Sequence, residues 1–150
     1  MASISALAIR LFERDMLPQA LELYQRANER NPNSWMMQFN YALALEKAGR
    51  NDEADKTYRR AIFLNADATN VWIRWASMKA FSGKLDEAES ILRAAIARLP
   101  READLRYALG SVLEAEHRIP DATASYESGG WYDDEGKFII PHQLEGDSSS

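Results

Sequence analysis

Small residues recur in this chain at a fixed interval of 34 positions. Ala8, Ala42, Ala76 and Gly110 form one such series, Ala20, Ala54, Ala88 and Ala122 a second, and Ala27, Ala61, Ala95 and Gly129 a third. Large residues keep the same interval, with Leu7, Tyr41, Trp75 and Leu109 in one column and Tyr24, Tyr58, Leu92 and Tyr126 in another. No insertion breaks the phase. Two helices bring their backbones close only where the facing residue is Ala or Gly, and a bulky neighbour then fills the hole beside the contact. The columns therefore predict stacked copies of one unit, each covering the apolar side its neighbour cannot bury alone.

The unit is plainest between Thr69 and Pro100. Trp72, Trp75, Ala76 and Lys79 share a face of its first half, and Ala88, Leu92, Ala95 and Leu99 share a face of its second. Ser82-Gly83 interrupts the helical period between them, as glycine does past a helix end, and Pro100 stops the second helix. Helices are predicted over about 3–15, 17–30, 34–48, 51–65, 68–82, 85–98, 102–116 and 119–128. Asn33 and Asn51 stand where N-caps are expected, and Pro18 and Pro120 fall in first turns, where a missing N–H costs nothing.

The columns resemble the tetratricopeptide repeat, whose period is 34 and whose signature alternates small and large residues in this way. The resemblance runs from about Ile4 to Gly129, some four repeats. Departures are local. Gln38 and Arg106 stand where the family usually has an aromatic, Lys79 replaces a large apolar residue, and Asp15 and His117 replace the helix-ending glycine found at Gly49 and Gly83. The resemblance implies an all-α fold, a right-handed superhelical solenoid of antiparallel helix hairpins. It also implies a concave groove, lined by the first helix of each hairpin, that binds a peptide segment of a partner protein.

Carried onto this sequence, the groove comprises Ile9, Phe12, Met36, Phe39, Asn40, Leu43, Ile73, Arg74, Ser77, Phe81, Tyr107 and Ser111. Its apolar members would serve equally well as packing between neighbouring helices, whereas Asn40 and Arg74 are expected to face outward. Those two also fall on positions of the carboxylate clamp by which some family members hold acidic chain ends. The remaining clamp positions carry Ser5, Ile9 and Asn70 in place of lysine, asparagine and lysine, which disfavours that mode. An apolar peptide anchored by Phe39, Leu43, Ile73 and Phe81 suits the lining better. Trp72, Trp75 and Lys79 bear a weaker resemblance to the half-a-tetratricopeptide repeats of RNA-processing complexes, which have a glutamate where Lys79 stands.

The expected domain organisation is a helical repeat domain over 1–130, an apolar tail or cap over 131–142, and a disordered end over 143–150. In the tail, Trp131-Tyr132 and Phe138-Ile139-Ile140 flank Asp133-Asp134-Glu135-Gly136, a turn-like stretch that reads as a short hairpin. Tyr126, Trp131, Phe138 and Ile140 form a candidate assembly surface. Through it the end of the stack could pair with a second copy, the tail could fold back as a cap, or it could lie in the groove.

Acidic residues outnumber basic ones, 23 to 18, which argues against a nucleic-acid surface. With no cysteine, thiolate metal sites and cysteine nucleophiles are excluded. His117 and His142 stand in a turn and in the tail, and Asp133 to Glu135 lack calcium-loop spacing, so no metal or cofactor is expected. No phosphate loop, nucleophile elbow or zinc-helix motif occurs, and the chain is read as a non-enzymatic interaction module. Arg10 interrupts the apolar start, against a secretory signal, and no stretch approaches a membrane span; the expected location is cytoplasmic, with a transit peptide left open.

Overall fold

The computed structural model describes residues 4–116. Among these residues there are seven α-helices and no strand: α1 (Ile4–Glu13), α2 (Leu17–Arg30), α3 (Trp35–Lys47), α4 (Asn51–Leu64), α5 (Thr69–Phe81), α6 (Leu85–Arg98) and α7 (Ala103–Ala115). The helix expected over 119–128, the His117 turn, the tail hairpin and the assembly residues Tyr126, Trp131, Phe138 and Ile140 lie outside the described residues. The chain divides into two compact units, Met1–Val71 and Trp72–Ser150, with the boundary inside α5.

The turn inside each hairpin is the same structure three times. At the end of α1 the Asp15 N–H donates to the Phe12 carbonyl (3.1 Å) and the Met16 N–H to the Leu11 carbonyl (2.8 Å). Gly49 and Arg50 repeat this after α3, on Glu46 and Leu45 (both 2.9 Å), and Gly83 and Lys84 after α5, on Ala80 (3.0 Å) and Lys79 (2.9 Å). This paired closure, a Schellman motif, needs a left-handed residue at its centre. Gly49 and Gly83 supply it with φ of 78° and 79°, and Asp15 adopts it with φ of 59°. The aspartate is thus a working substitute for the glycine. Its carboxylate accepts a hydrogen bond from Lys47 Nζ at 2.7 Å, which holds the Asp15 carboxyl below its ordinary range.

The residue after each left-handed position also begins the next helix. The carbonyls of Met16, Arg50 and Lys84 accept the Ala20, Ala54 and Ala88 N–H groups at 3.0, 2.9 and 3.1 Å. One residue therefore ends one helix and starts another, which leaves no room for a separate side-chain cap. This corrects the Asn51 expectation: Asn51 is the first residue of α4, behind Arg50, whose guanidinium pairs with Glu53. Asn33 is not a cap either. Ser34 caps α3 by accepting the Met37 N–H (3.3 Å), while Asn33 Oδ1 accepts a hydrogen bond from Arg60 (2.9 Å). Pro18 does lie in the first turn of α2.

Every described alanine of the three columns is at most 8% exposed, and so are Tyr24, Tyr58 and Leu92. In the first unit α2 packs on both α1 and α3, and α3 on α4. The Tyr24 and Tyr41 rings stack at 5.9 Å, and the Tyr58 hydroxyl donates to Glu46 at 2.7 Å. Leu7, the counterpart of Tyr41, is 46% exposed, because no described helix precedes α1 to supply the ring that Tyr24 gives Tyr41.

Two further departures, Gln38 and Lys79, find local partners. Gln38 is buried and donates from Nε2 to Asn28 Oδ1 (2.6 Å) and to the Pro32 carbonyl (2.9 Å), so an amide bridge stands where an aromatic ring would pack. Lys79 is buried along its stem and brings Nζ to 3.6 Å from Glu87 in the second unit. Trp72 and Trp75 are both buried, with ring centroids 6.1 Å apart, and serve packing.

An added Cβ at Gly49 or Gly83 would meet nothing within 4 Å, so alanine there bears only the left-handed backbone penalty. Gly49→Ala and Gly83→Ala should each lower stability by about 1–2 kcal/mol, read from urea midpoints, while Asp15→Gly should not lower it to that extent. Burial, with the Glu13 carboxylate nearby, pushes the Tyr24 phenol up to about 12. The folded state thus holds this proton more tightly than the unfolded chain. The corresponding stability is complete below the ordinary value of 10.0 and is lost as pH rises toward about 12. Denaturant midpoints across that interval should fall more steeply in the parent than in Tyr24→Phe.

Candidate functional site

In the second unit, α5, α6 and α7 surround an open cavity of about 370 Å³. Ile73, Ala76, Ser77, Ala80 and Phe81 line it from α5, Leu85 and Leu92 from α6, and Ala108, Ser111, Val112 and Ala115 from α7. No lining residue carries a charge. The Ser111 hydroxyl donates to the Tyr107 carbonyl one turn back (3.2 Å), a bond within its own helix. Phe81, at the end of α5, is 90% exposed on the lip.

The cavity has a sequence origin that emerges from positions two periods, or 68 residues, apart. The three helices of the first unit that correspond to α5, α6 and α7 are α1, α2 and α3. They carry Ile9, Phe12, Tyr24, Leu43 and Lys47 where the second unit carries Ser77, Ala80, Leu92, Ser111 and Ala115. Ile9 and Phe12 pack against Ala8, Ala20, Tyr24 and Ala44, and Lys47 Nζ lies 4.9 Å above the Phe12 ring. Ser77, Ala80, Leu92 and Ala115 are shorter than the Ile9, Phe12, Tyr24 and Lys47 side chains that fill this cluster, while the alanine columns keep the helices in place. The space left falls within the range of small-ligand and side-chain pockets.

Of the twelve residues expected to line a groove, Ile73, Ser77, Phe81 and Ser111 come together on this cavity. Arg74 is exposed on α5 and Tyr107 half-buried on α7, neither on the cavity wall. Among those in the first unit, Ile9 and Phe12 are half-buried against the cluster just described. Phe39 is half-buried with its ring 6.3 Å from that of Tyr58, Asn40 and Leu43 are half-buried on α3, and Met36 is 59% exposed. Ala80, Leu85, Leu92, Ala108, Val112 and Ala115 were not among the expected residues. Loss of bulk at the 68-residue offset was the signal that could have found Ala80, Leu92, Ala108 and Ala115, whereas Leu85 matches Leu17 and Val112 is larger than Ala44.

A second feature adjoins the cavity. Leu85 also borders a shallow depression with Gly83, Lys84, Asp86, Glu87 and Glu116. Carboxylate oxygens of Asp86, Glu89 and Glu116 lie within 4.8 Å of one another there. Glu89 is already engaged by Arg93 (3.1 Å), and Glu87 faces Lys79, so the cluster is a partly neutralised acidic rim. Spacing along α6 brings Asp86 near Glu89, but Glu116 joins them only through the packing of α7 on α6. Sequence reasoning therefore missed it.

A tetratricopeptide repeat family model matches residues 5–69 and 75–129, and the chain belongs to that family. The fold is similar to that of several solved proteins. A crystal structure of MamA is 15% identical with a TM-score of 0.74, covering 84% of this chain and 74% of that one. The second TPR domain of the human RPAP3 protein, solved in complex with the HSP70 peptide SGPTIEEVD, is 23% identical with a TM-score of 0.63, covering 73% and 92%. Pseudomonas aeruginosa PilF is 20% identical with a TM-score of 0.68, covering 84% and 58%. Identities this low speak for the fold alone. No curated protein matches the chain. No helix among the described residues is long and apolar enough to cross a membrane.

Phe81 and Leu92 both line the cavity yet differ in burial, which separates its lip from its floor. Phe81→Ala should leave the denaturant midpoint within about 0.5 kcal/mol of the parent. Leu92→Ala, at a site with no exposure, should cost about 2–5 kcal/mol.

Proposed function

We propose that this protein is a non-catalytic interaction module that docks an apolar peptide segment of a partner protein on α5 and α7 of its second unit. The observation that carries this reading is the uncharged cavity of about 370 Å³ with the 90% exposed Phe81 at its lip. An exposed aromatic beside an apolar hollow is the arrangement in which a partner's side chain gains burial on both sides. Membership of the tetratricopeptide repeat family supports the same reading, as does the peptide complex formed by the RPAP3 domain.

The peptide preferred here differs in chemistry from an acidic chain end. The cavity wall has no cation to meet a carboxylate, and the carboxylates of Asp86, Glu89 and Glu116 border it. A segment with one or two large apolar anchors and a flanking basic residue suits both features. Arg74 is exposed on α5 away from the cavity wall, and its proposed role is to hold a peptide carbonyl rather than to define an acidic clamp.

The test is selection from a displayed random peptide library on the full chain, followed by titration of the enriched peptides. Ala80→Phe, which restores the bulk found at Phe12, should weaken those peptides by about tenfold or more, the equivalent of losing one buried anchor. Phe63→Ala, a change at an exposed ring under Arg60 in the first unit, should leave them unaffected. Enriched peptides that bind the Ala80→Phe chain as tightly as the parent would remove the cavity from the binding site.

A further inference from the structure

The cavity opens beside the point where α7 ends: Ala115 is part of its wall and Glu116 part of the acidic rim. The chain continues from there, and after 20 intervening residues it reaches Lys137-Phe138-Ile139-Ile140-Pro141. That stretch pairs a basic residue with three consecutive large apolar ones. We propose that this segment is an internal ligand of the second unit, with Phe138 and Ile140 or Ile139 entering the cavity and Lys137 against the carboxylates of Asp86, Glu89 and Glu116.

Three observations favour this occupant. The chemistry matches in order, because an apolar run beside one cation meets an apolar hollow beside a group of carboxylates. Reach is sufficient, since an extended chain spans about 3.3–3.6 Å per residue and the intervening stretch exceeds the length of α7 even with a helix folded within it. Tethering then makes the encounter intramolecular, at an effective concentration on the order of millimolar for a short linker. A segment too weak to bind as a free peptide can hold the site under those conditions. Gly136 allows the chain to turn between Lys137 and Asp133-Asp134-Glu135, so that these acids need not face the rim. A partner peptide would then have to displace the tail. The proposal goes beyond docking of a partner and stands whether or not one binds.

The parent chain has no cysteine, so a single engineered pair reports proximity without background. The full chain carrying Ser77→Cys with Ile139→Cys is oxidised at high dilution beside a control carrying Ser90→Cys with Ile139→Cys, Ser90 being exposed on α6 and absent from the cavity wall. The expected result is an intramolecular disulfide in the cavity pair, forming about tenfold or more faster than in the control. Ala80→Phe should bring that rate down to the control's. Should Ala80→Phe disturb folding, Phe138→Ser with Ile140→Ser in the tail must do the same with the helices untouched. Equal rates in the two pairs, no disulfide in either, or disulfide-linked dimers in place of the intramolecular product would each overturn the proposal. Because no partner is present, such a failure leaves the docking reading to be decided by its own titration.

Discussion

The structure depends on how closely one helix can approach the next, and alanine sets that distance. Ala8, Ala20, Ala42, Ala54 and Ala88 have no exposed surface. A side chain larger than alanine at any of them would have to displace a neighbouring backbone, since interiors packed at crystal density have no slack to absorb a methylene. The large residues have a looser role. Tyr24, Tyr58 and Leu92 occupy one column with two kinds of side chain, and Tyr41, Trp75 and Leu109 another with three. The small residues hold the spacing and the large ones fill what remains.

This division explains which features were legible in the sequence. The hairpins and their columns could be read because close packing is periodic when the structure is periodic, and the described helices start and end within two residues of expectation. The turns were legible at Gly49 and Gly83. At Asp15 the missing glycine looked like a departure, yet an aspartate tolerates the left-handed region, and Lys47 gives its carboxylate a partner. The caps were misassigned for a local reason. A turn in which Arg50 closes one helix while opening the next has no position for Asn51 to cap, and Ser34 displaced Asn33 by a single residue.

The candidate site was legible only in part, again for a physical reason. Ile73, Ser77, Phe81 and Ser111 share a repeat position with groove residues, so the resemblance located them. It could not say that their surroundings form a hollow, because a hollow is the absence of side-chain volume summed over three helices. Ser77, Ala80 and Ala115 look unremarkable singly. Only set against Ile9, Phe12 and Lys47 do they show what the first unit contains and the second lacks. In the first unit, Phe12 and Phe39 are half-buried against neighbouring side chains at positions the resemblance assigns to a groove.

The packing columns and the proposed recognition surface therefore occupy largely different positions, with Ala76 and Leu92 belonging to both. The alanine columns are as tightly buried in the second unit, at Ala76, Ala88 and Ala95, as in the first. Helix placement there does not rely on whatever fills the space between α5 and α7. An apolar hollow costs contacts that its wall would otherwise make, and the loss is recovered when a side chain enters. Lining chemistry then decides which side chain that is. An uncharged wall rejects a carboxylate, which would lose its hydration without gaining a donor, and it accepts aliphatic or aromatic groups without such a cost. The acidic rim adds a preference for a nearby cation, acting over the short range that salt leaves to exposed charges. On the proposed reading, selectivity in this unit follows from what the wall omits as much as from what it carries.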